Sequence, residues 1–193
     1  MVDVVWLPRD AQRTVPWRNG LGSTREVAIE PVSGSVERGF DWRISRAGVA
    51  NDGPFSSFPG IDRSLWLVRG AGLELRIDEC SERLERPWQR VDFAGEAEVS
   101  ARLLGGPIED LNVMVRRGAV RAAAKIHELC DGAELPILWE AGSQVVLCLQ
   151  GAVALLGGVL GAGDAVRCDG AGSCTLLALD GRPVVLVASF GAA

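Results

Sequence analysis

The stretch Phe40–Asp78, FDWRISRAGVANDGPFSSFPGIDRSLWLVRGAGLELRID, decides the fold. It opens on an extended segment in which Phe40, Trp42 and Ile44 share one face and Asp41, Arg43 and Ser45 the other, because side chains alternate across a strand. A turn-rich insert follows, Asn51-Asp52-Gly53-Pro54 and then Pro59-Gly60, with Phe55 and Phe58 between. Glycine supplies positive φ and proline fixes φ at about −65°, so the insert reads as a shaped loop. Alternation resumes at Leu65 and Leu67. After Gly70-Ala71-Gly72 it continues at Leu73, Leu75 and Ile77, giving two strands joined by a tight glycine turn. The pattern is β-sheet, with arginines and carboxylates expected on the face opposite the core.

The flanking sequence repeats this grammar. Val4 to Leu7, stopped by Pro8, reads as a short edge strand. In PWRNGLGSTREVAIEP a turn cluster, Asn19 to Ser23, precedes alternating Val27 and Ile29. Its Gly-x-Gly is no phosphate loop, since neither a lysine-hydroxyl pair nor a helix follows. Glu79 to Arg90 is charged and reads as a surface excursion. In DLNVMVRRG, Leu111, Val113 and Val115 oppose Asn112, Met114 and Arg116, as in the central stretch. From Val120 onward, short apolar runs such as QVVLCLQG and PVVLVASF are separated by glycines. AAAKIHELC holds helix formers but no sustained helical period. Many short strands with glycine turns indicate an all-β sandwich or barrel. LWLVRGAGLEL also aligns with VVLCLQGAVAL, placing Gly70 on Gly151, the trace a duplicated β-lobe would leave.

Composition narrows the function classes. The chain of 193 residues is 48% hydrophobic, enough for one substantial core or two small lobes. A net charge of −5 argues against a nucleic-acid or membrane-surface binder, which needs a basic stripe. Its 5 cysteines are scattered without a Cys-x-x-Cys, so neither a disulfide framework nor a zinc knuckle is written. The N-terminal MVDVVWLPRDAQ lacks the apolar core of a signal peptide, and the run VVLCLQGAVALLGGVLGAG is interrupted by glycines and Gln150. A cytoplasmic protein is expected.

The blocks PWRNGLGSTREVA, the central stretch from Phe40 to Leu75, and DLNVMVRRG resemble the signature blocks of the HutD/Ves family, whose members are two-lobed cupins. The resemblance implies a double-stranded β-helix or jelly-roll bicupin with little helix. Its N-terminal lobe would span 1–120 and carry the motifs, and its C-terminal lobe 121–193, the two sharing sheets because each alone would be marginal. One branch of the family is encoded with the histidine-utilisation pathway, with N-formylglutamate or a related small carboxylate as its ligand; the Ves branch is associated with cold stress. The implied function is a sensor or modulator of histidine catabolism that binds a small carboxylate. The alternatives are a metal-independent isomerase or hydrolase of a small polar acid, with Glu26 or Asp62 as general base, and a stress-associated partner-binding protein. Exposed sheet edges of such sandwiches allow a homodimer.

Most cupin enzymes hold a metal with several histidines and a glutamate, because Fe, Mn, Ni or Zn needs converging imidazoles. Here there is one histidine, His127. In the family pattern the His-x-His positions fall near Arg76 and Asp78, and Gly161-Ala162-Gly163-Asp164 is similar to the cupin Pro-x-Gly-Asp turn. No metal or cofactor is expected, and no catalytic triad, since each would run through His127. What stands out is a set of polar residues on otherwise apolar strands: Arg18, Asn19, Glu26, Arg43, Ser45, Asp62, Arg63, Asn112 and Arg116. One reading is a pocket in which arginines fork onto a ligand carboxylate while Asn and Ser groups orient it. The other is structural, with Arg43 pairing Glu26 or Asp62 to pin the loop to the sheet. Trp17, Trp42 and Trp66 are expected in the core.

Overall fold

A computed structural model describes residues 2–17 and 22–193. The chain is all-β, and every strand pair is antiparallel. The one helical element among the described residues is the 3-10 turn Arg9–Ala11. The chain forms two compact units, Arg13–Ala119, and Met1–Gln12 together with Val120–Ala193.

In the unit Arg13–Ala119, a six-stranded sheet runs in the order Arg13–Pro16, Ser23–Glu30, Trp42–Val49, Ile108–Arg116, Ile61–Arg69, Arg90–Ala94. A four-stranded sheet runs Gly53–Pro54, Val99–Leu103, Leu73–Ile77, Cys80–Leu84. Val49, Leu65, Leu67 and Ile108 of the first sheet meet Leu73, Leu75, Leu84 and Val99 of the second in one core cluster. Burying each such side chain contributes roughly 1.5–3 kcal/mol. The chain passes from the large sheet to the small one at Gly70-Ala71-Gly72. Gly70 has φ +111°, and a Cβ there would lie 2.6 Å from Ile108 Cγ2 and 2.8 Å from the Pro107 carbonyl oxygen. Only glycine satisfies both the angle and the space.

Two expectations change. Glu79 to Arg90 is not merely a surface excursion, because Cys80–Leu84 is a strand paired with Leu73–Ile77. It is an edge strand whose only buried residue is Leu84, so its charges, which edges favour, hid its alternation. The polar face of the central stretch is also inside rather than opposite the core. Ser45 pairs with Asn112, which pairs with Leu65, and Arg43 pairs with Met114, which pairs with Arg63. These residues share the face of Val49, Leu65 and Leu67, which fill the core. Trp42 and Ile44 on the other face are buried as well, so alternation separated polar from apolar without telling which side is interior.

The second unit is a seven-stranded sheet, Asp3–Leu7, Ala165–Asp169, Ser143–Leu155, Gly172–Ala192, Val120–Glu128. Gly158–Gly161 lies beside Ser143–Leu155 and Glu134–Trp139 beside Gly172–Ala192. Its core holds Val146, Cys148, Val153, Leu160, Val166 and Val185. The helix-forming residues around Ala124 are strand here, paired along Val120–Glu128 with the long strand Gly172–Ala192; sheet partners override local propensity. Gly151, aligned with Gly70 in the sequence, lies inside the strand Ser143–Leu155 rather than in a turn between strands. Gly151 has φ +69° at a register shift, and a Cβ there would lie 2.6 Å from the Asp180 carbonyl oxygen. In the Gly161–Asp164 turn, Asp164 accepts from the Gly161 N–H (3.0 Å) and the Arg9 N–H (2.8 Å).

Gly70→Ala is expected to destabilise the protein by roughly 2–4 kcal/mol, from left-handed backbone strain plus overpacking. A Cβ added at Gly48 would meet no heavy atom within 4 Å, so Gly48→Ala is expected to be neutral or to stabilise by less than about 1 kcal/mol. Urea unfolding of the two variants measures the contrast.

Candidate functional site

The site grows out of strand register. Ser23–Glu30, Trp42–Val49, Ile108–Arg116 and Ile61–Arg69 are neighbours in the six-stranded sheet, and their inward rows place Glu26 beside Ser45, Asn112 and Leu65. The adjacent row holds Ile29, Arg43, Met114, Arg63 and Phe93. Ionisable groups therefore stand side by side on the inner face of the large sheet, beside the apolar core it shares with the small one.

Glu26 accepts three hydrogen bonds from two arginines. Its Oε2 accepts from Arg43 Nε at 2.8 Å, and the two side chains are each only 6% exposed. Its Oε1 accepts from Arg13 Nη2 at 2.8 Å and from Arg13 Nε at 3.2 Å; that arginine is half exposed. The register shift between Glu26 and Ala28 aims Glu26 inward alongside Arg43.

Arg63 is the centre of a second group. Its guanidinium carbon lies 4.9 Å from the Phe93 ring centroid, 5.3 Å from Phe55 and 5.4 Å from Phe58, a cage of three quadrupoles. Its Nη2 donates to Asn112 Oδ1 at 2.8 Å and its Nη1 to the Ser56 carbonyl oxygen at 3.3 Å. Its buried Nε has no partner among the described residues. Asn112 Nδ2 in turn donates to Asp110 Oδ1 at 2.9 Å, making a relay Arg63–Asn112–Asp110. Burial pushes the Asp110 carboxyl up to about 7 against the pull of Arg63 and the Asn112 bond. Burial likewise lowers Arg63 to about 10, with Asp110 opposing and Arg43 assisting.

Of the residues singled out in the sequence, Glu26, Arg43, Ser45, Arg63 and Asn112 come together in this interior and are buried. Asp62 faces the other way and pairs with Arg117 at 2.7 Å. Arg116 is exposed; it donates to the Phe40 carbonyl oxygen at 3.1 Å and pairs with Asp41 at 3.3 Å. Arg18 and Asn19, with most of the expected Asn19 to Ser23 turn, lie outside the described residues. Sequence reasoning missed Asp110, although its spacing of two from Asn112 puts it on the same face. It also missed the cage, whose three phenylalanines are brought together only by the loop after Gly53–Pro54 and the pairing of Arg63 with Phe93. Trp42 and Trp66 are buried, and Trp17 packs against the core while donating to Thr24 Oγ1 at 2.8 Å.

Of the positions near Arg76 and Asp78, Arg76 is an exposed residue of the small sheet and Asp78 an exposed residue of the turn after it. Among the described residues no group of three or more His, Cys, Asp or Glu could hold a metal ion. His127 belongs to the other unit, where burial and then Lys125 hold its imidazole below the usual range. Among the described residues no helix is long and apolar enough to cross a membrane.

A family model described as HutD matches residues 9–186. A Pseudomonas putida protein described as an uncharacterized 21.2 kDa protein in the hutC 3' region is 33% identical over 172 residues, 87% of this chain and 88% of that protein. Protein Ves of Citrobacter koseri is 38% identical over 114 residues, 58% of each chain. The structure of HutD from Pseudomonas fluorescens SBW25, described as a formate condition, superposes with a TM-score of 0.84 at 30% identity, covering 99% of this chain and 100% of that one. At the level of fold alone, oxalate decarboxylase of Lactobacillus farciminis gives a TM-score of 0.68 at 10% identity, covering 97% of this chain and 88% of that one, so the fold is cupin-like.

Glu26→Gln leaves the buried Arg43 without a counter-charge and is expected to cost about 3–5 kcal/mol, whereas Glu26→Leu combined with Arg43→Met recovers most of that loss. Thermal unfolding of both variants reads this. Asp110 holds its proton more tightly folded than unfolded. Its contribution to stability is therefore present in full below the ordinary carboxylate range and lost as pH rises through about 7. Urea unfolding at several pH values across that window is expected to give a falling stability that flattens in Asp110→Asn; identical slopes would contradict the assignment.

Proposed function

The chain belongs to the HutD family, and from that premise we propose that it is a two-lobed cupin that binds a small carboxylate in the unit Arg13–Ala119 and acts as a cytoplasmic sensor or modulator of histidine catabolism. N-formylglutamate is the ligand to test first. The observation that carries the proposal is the pair of buried arginines, Arg43 and Arg63, facing the interior with Asn112 and Ser45. Arginine presents a planar fork that matches a carboxylate, and a site lined by apolar side chains with a few fixed polar groups is the usual form of a small-molecule pocket. The Arg43 bond to Glu26 uses Nε, so the Nη pair is the part of the fork that a ligand carboxylate takes.

The fold supplies the rigidity such binding requires. Arg63 is oriented by its cage and by Asn112, and Arg43 by Glu26, so little side-chain freedom is lost when a ligand arrives. Glu26 and Asp62 are poor candidates for a general base, because each carboxylate is held by arginine.

Thermal unfolding against N-formylglutamate, glutamate, urocanate and formate tests the reading. A ligand at a hundred times its dissociation constant adds about 2.7 kcal/mol, which for this chain length raises the midpoint by roughly 5–10 °C. The expected result is a shift with N-formylglutamate that disappears in Arg43→Lys, a variant that keeps the charge beside Glu26 and loses the fork. Undiminished binding by Arg43→Lys would contradict this placement of the ligand.

A further inference from the structure

Charge balance inside the unit Arg13–Ala119 carries one step further, resting on the carboxylate-binding reading. Among the described residues, the buried charged groups on the inward face are Arg43, Arg63, Glu26 and Asp110. With both carboxyls ionised these four sum to zero; Arg13, which also bonds Glu26, is half exposed, so solvent screens its charge from the interior. A carboxylate entering such an interior then adds an uncompensated negative charge in a region of low dielectric, a severe penalty. Glu26 cannot relieve it easily, since two arginines bond its oxygens directly. Asp110 can. It is 2% exposed, and among the described residues it has no ion pair within 4 Å, its side-chain bond being to the neutral amide of Asn112.

The surroundings of Asp110 agree. From Trp42–Val49 the charged group on its face is Arg43, from Ile61–Arg69 it is Arg63, and from Ser23–Glu30 it is Glu26. The small sheet turns Leu73, Leu75, Val99 and Ala101 toward the same core and no charge. Glu109, its chain neighbour, points to the opposite face, where Arg46 and Arg69 bind it, and its field favours the neutral acid at Asp110.

We propose that Asp110 is a selectivity residue of the site: it is neutral whenever an anionic ligand is bound, so that binding takes up a proton and the pocket accepts anions only in that form. The neutral acid leaves the interior at +1, matched to one of the two carboxylates of N-formylglutamate, and its link through Asn112 keeps Arg63 in place in both protonation states. With the free carboxyl titrating near neutrality, the competent fraction falls about tenfold for each pH unit above that point, and the apparent affinity falls with it.

The test is calorimetric titration of the full chain with N-formylglutamate at about pH 6 and about pH 8, in phosphate and in imidazole buffer, whose ionisation heats differ. The expected result is little proton uptake at the lower pH, close to one proton at the higher, and affinity that weakens about tenfold between them. Asp110→Asn, fixed neutral, is expected to take up none and to bind about tenfold more tightly than the unaltered protein at about pH 8. Binding with no proton uptake and a flat pH profile would overturn the role of Asp110 while leaving the carboxylate pocket standing. Absence of binding at both pH values would overturn the pocket and this role together. If Asp110→Asn does not fold, the buffer comparison on the unaltered chain decides alone.

Discussion

The constraint on which the structure turns is the burial of Glu26 and Arg43 against one another on the inner face of a β-sheet. Removing two charges from water costs several kcal/mol each, and their attraction in the interior returns about as much, so such a pair adds little net stability. It does fix geometry. The pair requires Ser23–Glu30 and Trp42–Val49 to meet in one register, and the shift after Glu26 keeps that carboxylate inward. A one-residue slip would turn Arg43 to the opposite face and leave Glu26 without its buried partner. The same register carries Asn112 and Arg63 into the adjoining positions, so one ion pair organises the whole polar interior.

The two units differ in what they bury. The interior of Arg13–Ala119 holds two arginines and two carboxyls among its apolar residues. The interior of the other unit is valine, leucine, isoleucine, tryptophan and cysteine, and Ser189 Oγ donates a neutral, part-buried bond to Gln144 Oε1. Its Cys168 thiol is pushed up to about 11, first by burial, and is a packing group rather than a nucleophile.

Much of this was legible in the sequence, for physical reasons. Alternation with glycine turns gave the all-β class, and Gly70 marked the corner between sheets because no other residue fits there. Arg43, Ser45 and Asn112 were visible as polar residues on apolar strands. Their direction was not, because Trp42 and Ile44 are buried too, and a strand covered on both faces has no exposed side to identify the other. Asp110 was obscured by Glu109, since two adjacent carboxylates look like a solvated charge pair until pairing sends one to each face. The Phe55–Phe58–Phe93 cage joins residues that only tertiary structure brings together.

The decisive experiment is a crystal structure of the protein with N-formylglutamate. One ligand carboxylate is expected on the Nη pair of Arg43, within hydrogen-bond distance, in the interior shared with Arg63 and Asn112. Ligand bound at the surface or in the other unit, with Arg43 still bonded to Glu26 and no other group beside it, would contradict this placement.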